Sequence, residues 1–127
     1  MKEVTMAKIL VVDDSEALRT QLREDLEAHS HSVIEAFDGL NGLDQIKKTD
    51  GIDLIICDVN MPNMDGLSMC AKLNENPNYA NMNIFMLTTE ASSEMKARGK
   101  TVGVKAWIIK PYTLDKLLMA IDKICKK

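Results

Sequence analysis

Five short and mostly apolar runs recur along the chain, and a polar or turn-forming residue follows each of them. Val, Ile and Leu dominate most of these runs, as is typical of strands that are covered on both faces. We therefore predict five β-strands, at residues 8–12, 32–36, 54–57, 83–87 and 106–109.

Segments with helical periodicity lie between and after these runs. Leu18, Leu22 and Leu26 repeat at intervals of four behind Ser15, which can cap a helix that extends to about His29. The remaining helices are marked by Leu43 and Ile46 between a break at Gly39 and Asp50-Gly51, by Leu67, Cys70, Ala71 and Leu73 between Asp65 and Pro77, by the weakly amphipathic segment 92–101 with Gly99 and Gly103 at its end, and by Leu114, Leu117, Leu118 and Ile121 behind Thr113.

The alternation of strand and helix predicts an α/β fold, a doubly wound five-stranded parallel sheet with five helices and right-handed crossovers. Parallel neighbours place their C-terminal ends at the same edge of the sheet. Asp13, Asp14, Asp58, Thr88 and Lys110 follow four of the strands. We expect these residues, distant in sequence, to meet in one pocket.

Asp58 is the strongest single candidate for chemistry. It ends the most apolar run at a point where its side chain can meet solvent, and Pro62 and Asp65-Gly66 behind it indicate a loop and a helix start. Open parallel sheets bind ligands at this end of their strands. An aspartate there can also simply cap a turn or a helix. Asp58 is favoured as a functional residue because the other acids are expected at the same edge of the sheet.

Length, composition and charge narrow the class of protein. With 127 residues and no Pro/Ser/Gly-rich linker, the chain suits one domain over residues 1–127. A net charge of -3 without a basic cluster argues against nucleic-acid binding. No apolar stretch approaches the roughly 20 residues of a membrane span, and residues 1–6 lack the apolar core of a signal peptide. We expect a cytoplasmic protein.

The cysteines and histidines point to no further chemistry. Cys57, Cys70 and Cys125 form no CxxC pair, and reduced cysteines packed in the core are expected. His29 and His31 stand two apart at a predicted turn, so a zinc site is improbable.

Several short motifs together resemble the signature of response-regulator receiver domains, most nearly the stand-alone chemotaxis, CheY-like type. They are Val12-Asp13-Asp14-Ser15, Asp58 with Met61-Pro62 and Asp65-Gly66, Leu87-Thr88, and Lys110-Pro111. The resemblance covers residues 7–125 and implies a flavodoxin-like strand order of 2-1-3-4-5. It also implies a cis peptide bond between Lys110 and Pro111.

The resemblance implies a role for each residue of the pocket. Asp58 would accept a phosphoryl group from the phosphohistidine of a partner histidine kinase, and Thr88 and Lys110 would contact the phosphoryl oxygens. The implied magnesium ligands are Asp13, Asp14, Asp58 and the backbone carbonyl of Asn60.

Charge balance agrees with these roles. Two carboxylates about 5 Å apart repel by roughly 3 kcal/mol at an effective dielectric near 20, so clustered acids need a cation. Three acids, one Mg²⁺ and the Lys110 amine sum to zero, and an incoming phosphoryl group is then not repelled.

Two further pairs of residues follow from the resemblance. Thr88 and Trp107 occupy the switch positions, where the family usually has Tyr or Phe in place of the tryptophan. Asn60 and Glu90 flank the phosphoryl group and are expected to tune its hydrolysis, giving a short-lived phosphorylated state.

The favoured function is a signalling switch of a two-component system, with no catalysis beyond its own phosphorylation and dephosphorylation. A monomer that binds a protein target, such as a flagellar motor switch component, is expected. A phosphorelay intermediate or a phosphate sink is the alternative.

A haloacid-dehalogenase-like phosphatase fits less well, because it needs Asp-x-Asp, whereas the chain has Asp13-Asp14-Ser15 and, at the other acid, Asp58 with Asn60. A flavodoxin-like cofactor binder would need a Gly-rich or Ser/Thr-rich phosphate loop after the first strand, and no such loop follows it in this chain.

Overall fold

The computed structural model describes residues 6–125, which form five strands alternating with five helices. The strands are β1 Lys8–Val12, β2 Ser32–Ala36, β3 Leu54–Cys57, β4 Ile84–Thr88 and β5 Val104–Ile109. The helices are α1 Glu16–Glu27, α2 Gly39–Lys48, α3 Gly66–Glu75, α4 Ser93–Thr101 and α5 Leu114–Cys125. All strand pairs are parallel, in the order β2-β1-β3-β4-β5, which confirms the predicted fold.

The strand register aligns the C-terminal ends of the strands. Val12 at the end of β1 lies opposite both Ala36 and Cys57, the last residues of β2 and β3. Thr88 at the end of β4 lies opposite Ile109 at the end of β5. The polar residues behind these strands therefore meet at one edge of the sheet.

Alternating strand residues feed two apolar cores, one on each face of the sheet. Ile9 and Val11 pack with α1 and α5 on one face, whereas Leu10 and Val12 pack with α2 and α3 on the other. The sheet is thus covered on both sides, as expected from its apolar strands.

Two details of the helices differ from the sequence prediction. Gly39 does not break the chain ahead of α2 but is its first residue, because the Asp38 side chain caps the helix. In α3, Met69 is fully buried while Ala71 is only half-buried. Residues 66, 67, 69, 70 and 73 form the buried face of this helix, and Ala71 lies beside it.

Asp53 ties both ends of the described chain to the opposite, N-terminal edge of the sheet. Its Oδ2 accepts the Lys8 amide at 2.8 Å, and its backbone oxygen lies 4.0 Å from the Cys125 sulfur. All three cysteines are buried, and none of them is joined in a disulfide within residues 6–125, as predicted. No helix within residues 6–125 combines the length and apolar character that a bilayer crossing demands.

Candidate functional site

Three carboxylates converge where β1 and β3 end. Oxygens of Asp13, Asp14 and Asp58 all lie within 4.8 Å of one another. Backbone hydrogen bonds fix the positions of Asp13 and Asp58. The Asp13 amide donates to Ala36 O and the Asp58 amide donates to Val12 O, each at 3.0 Å. Asp13 is buried and Asp14 is exposed. Asp58 is only 8% exposed, so it is more enclosed than its position at a strand end predicted.

Lys110 supplies the positive charge of the cluster. Its Nζ donates to Asp13 Oδ2 and to Asp58 Oδ2, both at 2.9 Å. Its backbone amide donates to Thr88 O at 2.9 Å, and the peptide bond to Pro111 is cis as predicted. Burial alone would lower the pKa of the Lys110 amine, but the bonds to the two carboxylates outweigh it and raise the pKa above its ordinary value.

Asp13 is held by donors on several sides. Its Oδ1 accepts the Ser15 amide at 2.8 Å, and its backbone oxygen accepts Arg19 Nη1 at 2.6 Å. Burial nevertheless raises the pKa of the Asp13 carboxyl, because the bonds from Lys110 and Ser15 offset only part of it and the charge of Asp58 adds to the rise. Because the cluster contains three carboxylates and Lys110 contributes one amine, negative charge remains in excess.

A chain of hydrogen bonds leads from the end of β4 to the tryptophan of β5. The Glu90 amide donates to the buried Thr88 Oγ1 at 3.2 Å, and the Trp107 indole N–H donates to Glu90 O at 2.8 Å. The indole ring packs against Gly99 of α4, where a Cβ would come within 2.9 Å of it. Thr88 and Trp107 are therefore linked through a single residue, Glu90.

The sequence matches the response regulator receiver domain family over residues 9–122. The chain belongs to this family. Receiver domains are phosphoacceptors of two-component systems, and this one is of the CheY type. It is a signalling protein whose phosphoryl donor is a histidine kinase and whose output is a downstream protein target.

Individual relatives support the assignment to the receiver family. A chemotaxis protein CheY homolog of Campylobacter jejuni is 36% identical over 118 residues, which cover 92% of this chain and 91% of the relative. The response regulator MprA of Mycobacterium avium is 34% identical over 120 residues, which cover 94% of this chain but only 51% of MprA. The structure of the Vibrio cholerae chemotaxis protein CheY4 has 38% identity and a TM-score of 0.87, covering 94% of this chain and 98% of that one.

Receiver domains bind Mg²⁺ in an acidic pocket, and the cluster of this chain has suitable chemistry for that ion. Magnesium prefers carboxylate and carbonyl oxygens at about 2.1 Å, so two oxygens on one ion lie at most about 4.2 Å apart. The carboxylate oxygens of the cluster lie within 4.8 Å of one another, which is close to that separation.

The remaining predicted receiver residues lie in the loops behind β3 and β4. Asn60 is exposed and Glu90 is half-buried. A residue that the sequence analysis did not single out, Asp38, lies buried behind β2 and bonds Asn63 of the β3–α3 loop at 2.7 Å. Its signal in the sequence was its position, since Asp38 follows a strand at the same edge as the other acids.

Proposed function

We propose that Asp58 accepts the phosphoryl group of this receiver and that the phosphorylated surface binds a protein target in chemotaxis. The observation that carries the assignment is the Lys110 amine, which bonds both Asp58 and Asp13 at 2.9 Å. Lys110 directly follows β5, and Asp58 and Asp13 directly follow β3 and β1, so the fold itself assembles a cation beside a candidate nucleophile. The chemotaxis names of the relatives support the pathway.

Phosphorylation of Asp58 needs little covalent chemistry from the protein. A carboxylate oxygen of Asp58 attacks the phosphorus of the donor phosphohistidine and forms an O–P bond. The N–P bond breaks, and the imidazole nitrogen keeps the electron pair and takes up a proton. The chain's task is to align the reacting groups and to neutralise charge.

Each surrounding residue contributes to that task. The Lys110 amine offsets negative charge between the two acids, and the Thr88 hydroxyl lies at the neighbouring strand end. Asp13, Asp14, Asp58 and the carbonyl of Asn60 would hold Mg²⁺. When bound, the ion supplies the further charge neutralisation that a dianionic phosphoryl group requires.

The switch begins at Thr88. When its hydroxyl turns toward a phosphoryl oxygen, the bond from the Glu90 amide to Thr88 Oγ1 breaks. Glu90 also holds the indole N–H of Trp107, so the β4–α4 loop and the tryptophan respond together. A local charge is thereby read as a change of packing on α4 and β5. We propose that this surface binds the target, with a flagellar motor switch component as the expected partner and a monomer as the binding unit.

Intact-mass spectrometry after incubation with acetyl phosphate and Mg²⁺ tests the assignment. The wild type should gain one phosphoryl group, and Asp58→Asn, which preserves size and removes the nucleophile, should gain none. A parallel reaction with a phosphohistidine donor covers the case of a poor small-molecule donor. Failure of the wild type with both donors, or equal labelling of Asp58→Asn, would overturn the proposal.

A further inference from the structure

The junction between β2 and α2 contacts the chain on two sides, at Asp13 of the acid pocket and in the β3–α3 loop that follows Asp58. On one side, Ala36 O accepts the backbone amide of Asp13 at 3.0 Å. On the other side, Asp38 Oδ2 accepts the side-chain amide of Asn63 at 2.7 Å, although the two residues are 25 positions apart. The junction is therefore placed to connect β1 with the β3–α3 loop.

Both oxygens of Asp38 are used. Oδ1 accepts the Asn41 amide at 2.8 Å and caps α2, while Oδ2 accepts from Asn63. Asp38 as a whole residue is only 3% exposed. The bonds from Asn41 and Asn63 lower the pKa of Asp38, so it remains a carboxylate and the bond to Asn63 is charge-assisted.

A backbone contact reinforces the link. The Gly39 amide donates to Met64 O at 3.0 Å, and a Cβ at position 39 would lie 2.7 Å from that oxygen. Only glycine allows this approach. The pair Asp38-Gly39 thus grips two successive residues, Asn63 and Met64, of the loop behind Asp58.

The gripped loop includes Asn60, the proposed carbonyl ligand. Val59 on its other side is fixed by the Gly66 amide, which donates to Val59 O at 2.9 Å. Asn60 therefore lies on a short segment anchored at both ends. Asn63 has a φ of 67°, a conformation that asparagine and glycine tolerate better than most residues.

We propose that Asp38 and Asn63 form a positioning pair that fixes the Asn60 segment and thereby sets the affinity of the pocket for Mg²⁺. The proposal rests on the proposed function, because it assigns Asn60 to the metal site. Neither side chain is assigned a contact with the ion; they act through the loop. Groups that orient ligands from outside the coordination sphere typically change metal affinity by 10–100-fold when removed.

Substitutions at Asn63 test the pair without disturbing the cap of α2. Asn63→Gly removes the side chain and suits the positive φ, so the fold should persist. Asn63→Asp sets two carboxylates against each other. The double variant Asp38→Asn with Asn63→Asp reverses donor and acceptor, retains a capping residue at 38 and keeps the wild-type net charge.

The Mg²⁺ dissociation constant, measured by NMR titration of amide chemical shifts, is the readout, with thermal unfolding in metal-free buffer as the check on folding. Asn63→Gly and Asn63→Asp should each bind Mg²⁺ roughly tenfold more weakly, and the double variant should recover most of the affinity. Added negative charge alone would tighten Mg²⁺ binding in Asn63→Asp. The direction of the change in affinity therefore distinguishes the positioning pair from a simple electrostatic effect.

Unchanged Mg²⁺ affinity in the folded Asn63→Gly protein, or tighter binding by Asn63→Asp, would overturn the positioning pair. That result is distinct from a failure of the proposed function. A wild type that neither binds Mg²⁺ nor gains a phosphoryl group refutes both, whereas a wild type that does both while Asn63→Gly matches it refutes the pair alone.

Discussion

Asp14 differs from the other two acids of the pocket because it is exposed, whereas Asp13 and Asp58 are buried and bonded to Lys110. The three carboxylates of the pocket therefore contribute differently to stability. Asp13 and Asp58 share a cation, while Asp14 adds negative charge within 4.8 Å of both. The added charge of Asp14 should lower the stability of the metal-free protein, a compromise that is common at functional sites.

Neutralising Asp14 should stabilise the metal-free protein. Asp14→Asn should raise the free energy of unfolding in Mg²⁺-free buffer by about 1 kcal/mol, the repulsion expected of charges at this separation near water. It should also reduce the stabilisation gained on adding Mg²⁺. Urea unfolding with and without Mg²⁺ measures both effects. Glu24→Gln, which neutralises an exposed acid of α1, is the matched control, and equal effects of the two variants would refute the prediction.

The hydrolysis of the phosphoryl group should depend on Asn60. Its exposed position leaves room for an attacking water in line with the phosphorus. Asn60→Arg should fill that space and lengthen the life of phospho-Asp58, which is checked by following the loss of the added mass over time. An unchanged rate would remove Asn60 from this role.

Buried His31 should make stability depend on pH. Its Nδ1 accepts the Ala7 amide at 3.1 Å, which requires the neutral ring. Burial lowers the pKa of His31 below 6.5, and His29 adds to this while Asp122 opposes it. The unfolded chain then binds more protons than the folded one between the two pKa values. The free energy of unfolding should therefore fall as the pH drops below about 6.5.

Denaturant unfolding between about pH 5 and 7.5 tests this expectation. His31→Asn places an oxygen where Nδ1 accepts and cannot titrate, so its stability should vary less with pH than that of the wild type. His29→Asn is the control, since it removes the exposed histidine. A wild-type slope in His31→Asn would show that the pH dependence arises elsewhere.

At the scale of elements, α4 packs against the Trp107 ring at a position that has no side chain, Gly99. Gly99 is the one buried residue of this helix, and the Trp107 ring occupies the space that a side chain there would fill. Glycine weakens a helix interior, so the indole is accommodated at the expense of helix stability. This arrangement makes α4 a suitable moving part of the proposed switch.

Filling the gap should displace the indole. In Gly99→Ala the new Cβ would lie 2.9 Å and 3.2 Å from two ring atoms, so the clash should offset the roughly 1 kcal/mol gained in helix propensity. Tryptophan emission should shift as the bond to Glu90 O weakens. In a Trp107→Phe background the same substitution should be stabilising, and a double-mutant cycle that shows no coupling would contradict the packing argument.

Elements were predictable from sequence where a periodic apolar pattern existed. The strand β2 was predicted with its observed bounds, and the acids behind β1 and β3 were placed at the correct edge. The grip of Asp38 on Asn63 was not predictable, because both are polar loop residues 25 positions apart and no periodicity links them. Likewise, the burial of Met69 rather than Ala71 depends on the rotation of α3 against α2, where Met69 reaches Gly42.

At the scale of the whole molecule, occupancy of the pocket should change the environment of Trp107 on β5. Beryllofluoride with Mg²⁺, which mimics a phosphoryl group, should change the emission or quencher access of Trp107, the only tryptophan of the chain. The reason is the bonded path from Thr88 through Glu90 to the indole. Asp58→Asn should show no change. Constant emission of the wild type at proven occupancy would assign the switch to the backbone of α4.

The meeting of Lys8 and Cys125 at Asp53 has a practical consequence for engineering. Both lie at the N-terminal edge of the sheet, whereas the acid pocket lies beyond the other end of β1, a strand of five residues or about 16 Å. A fluorescent reporter or an affinity handle attached at either position would therefore lie at the edge of the sheet opposite the acid pocket. A short Gly/Ser bridge between the two positions would also allow a circular permutant opened within the turn at residues 76–82, whose new ends would lie before the start of β4 and away from the acid pocket.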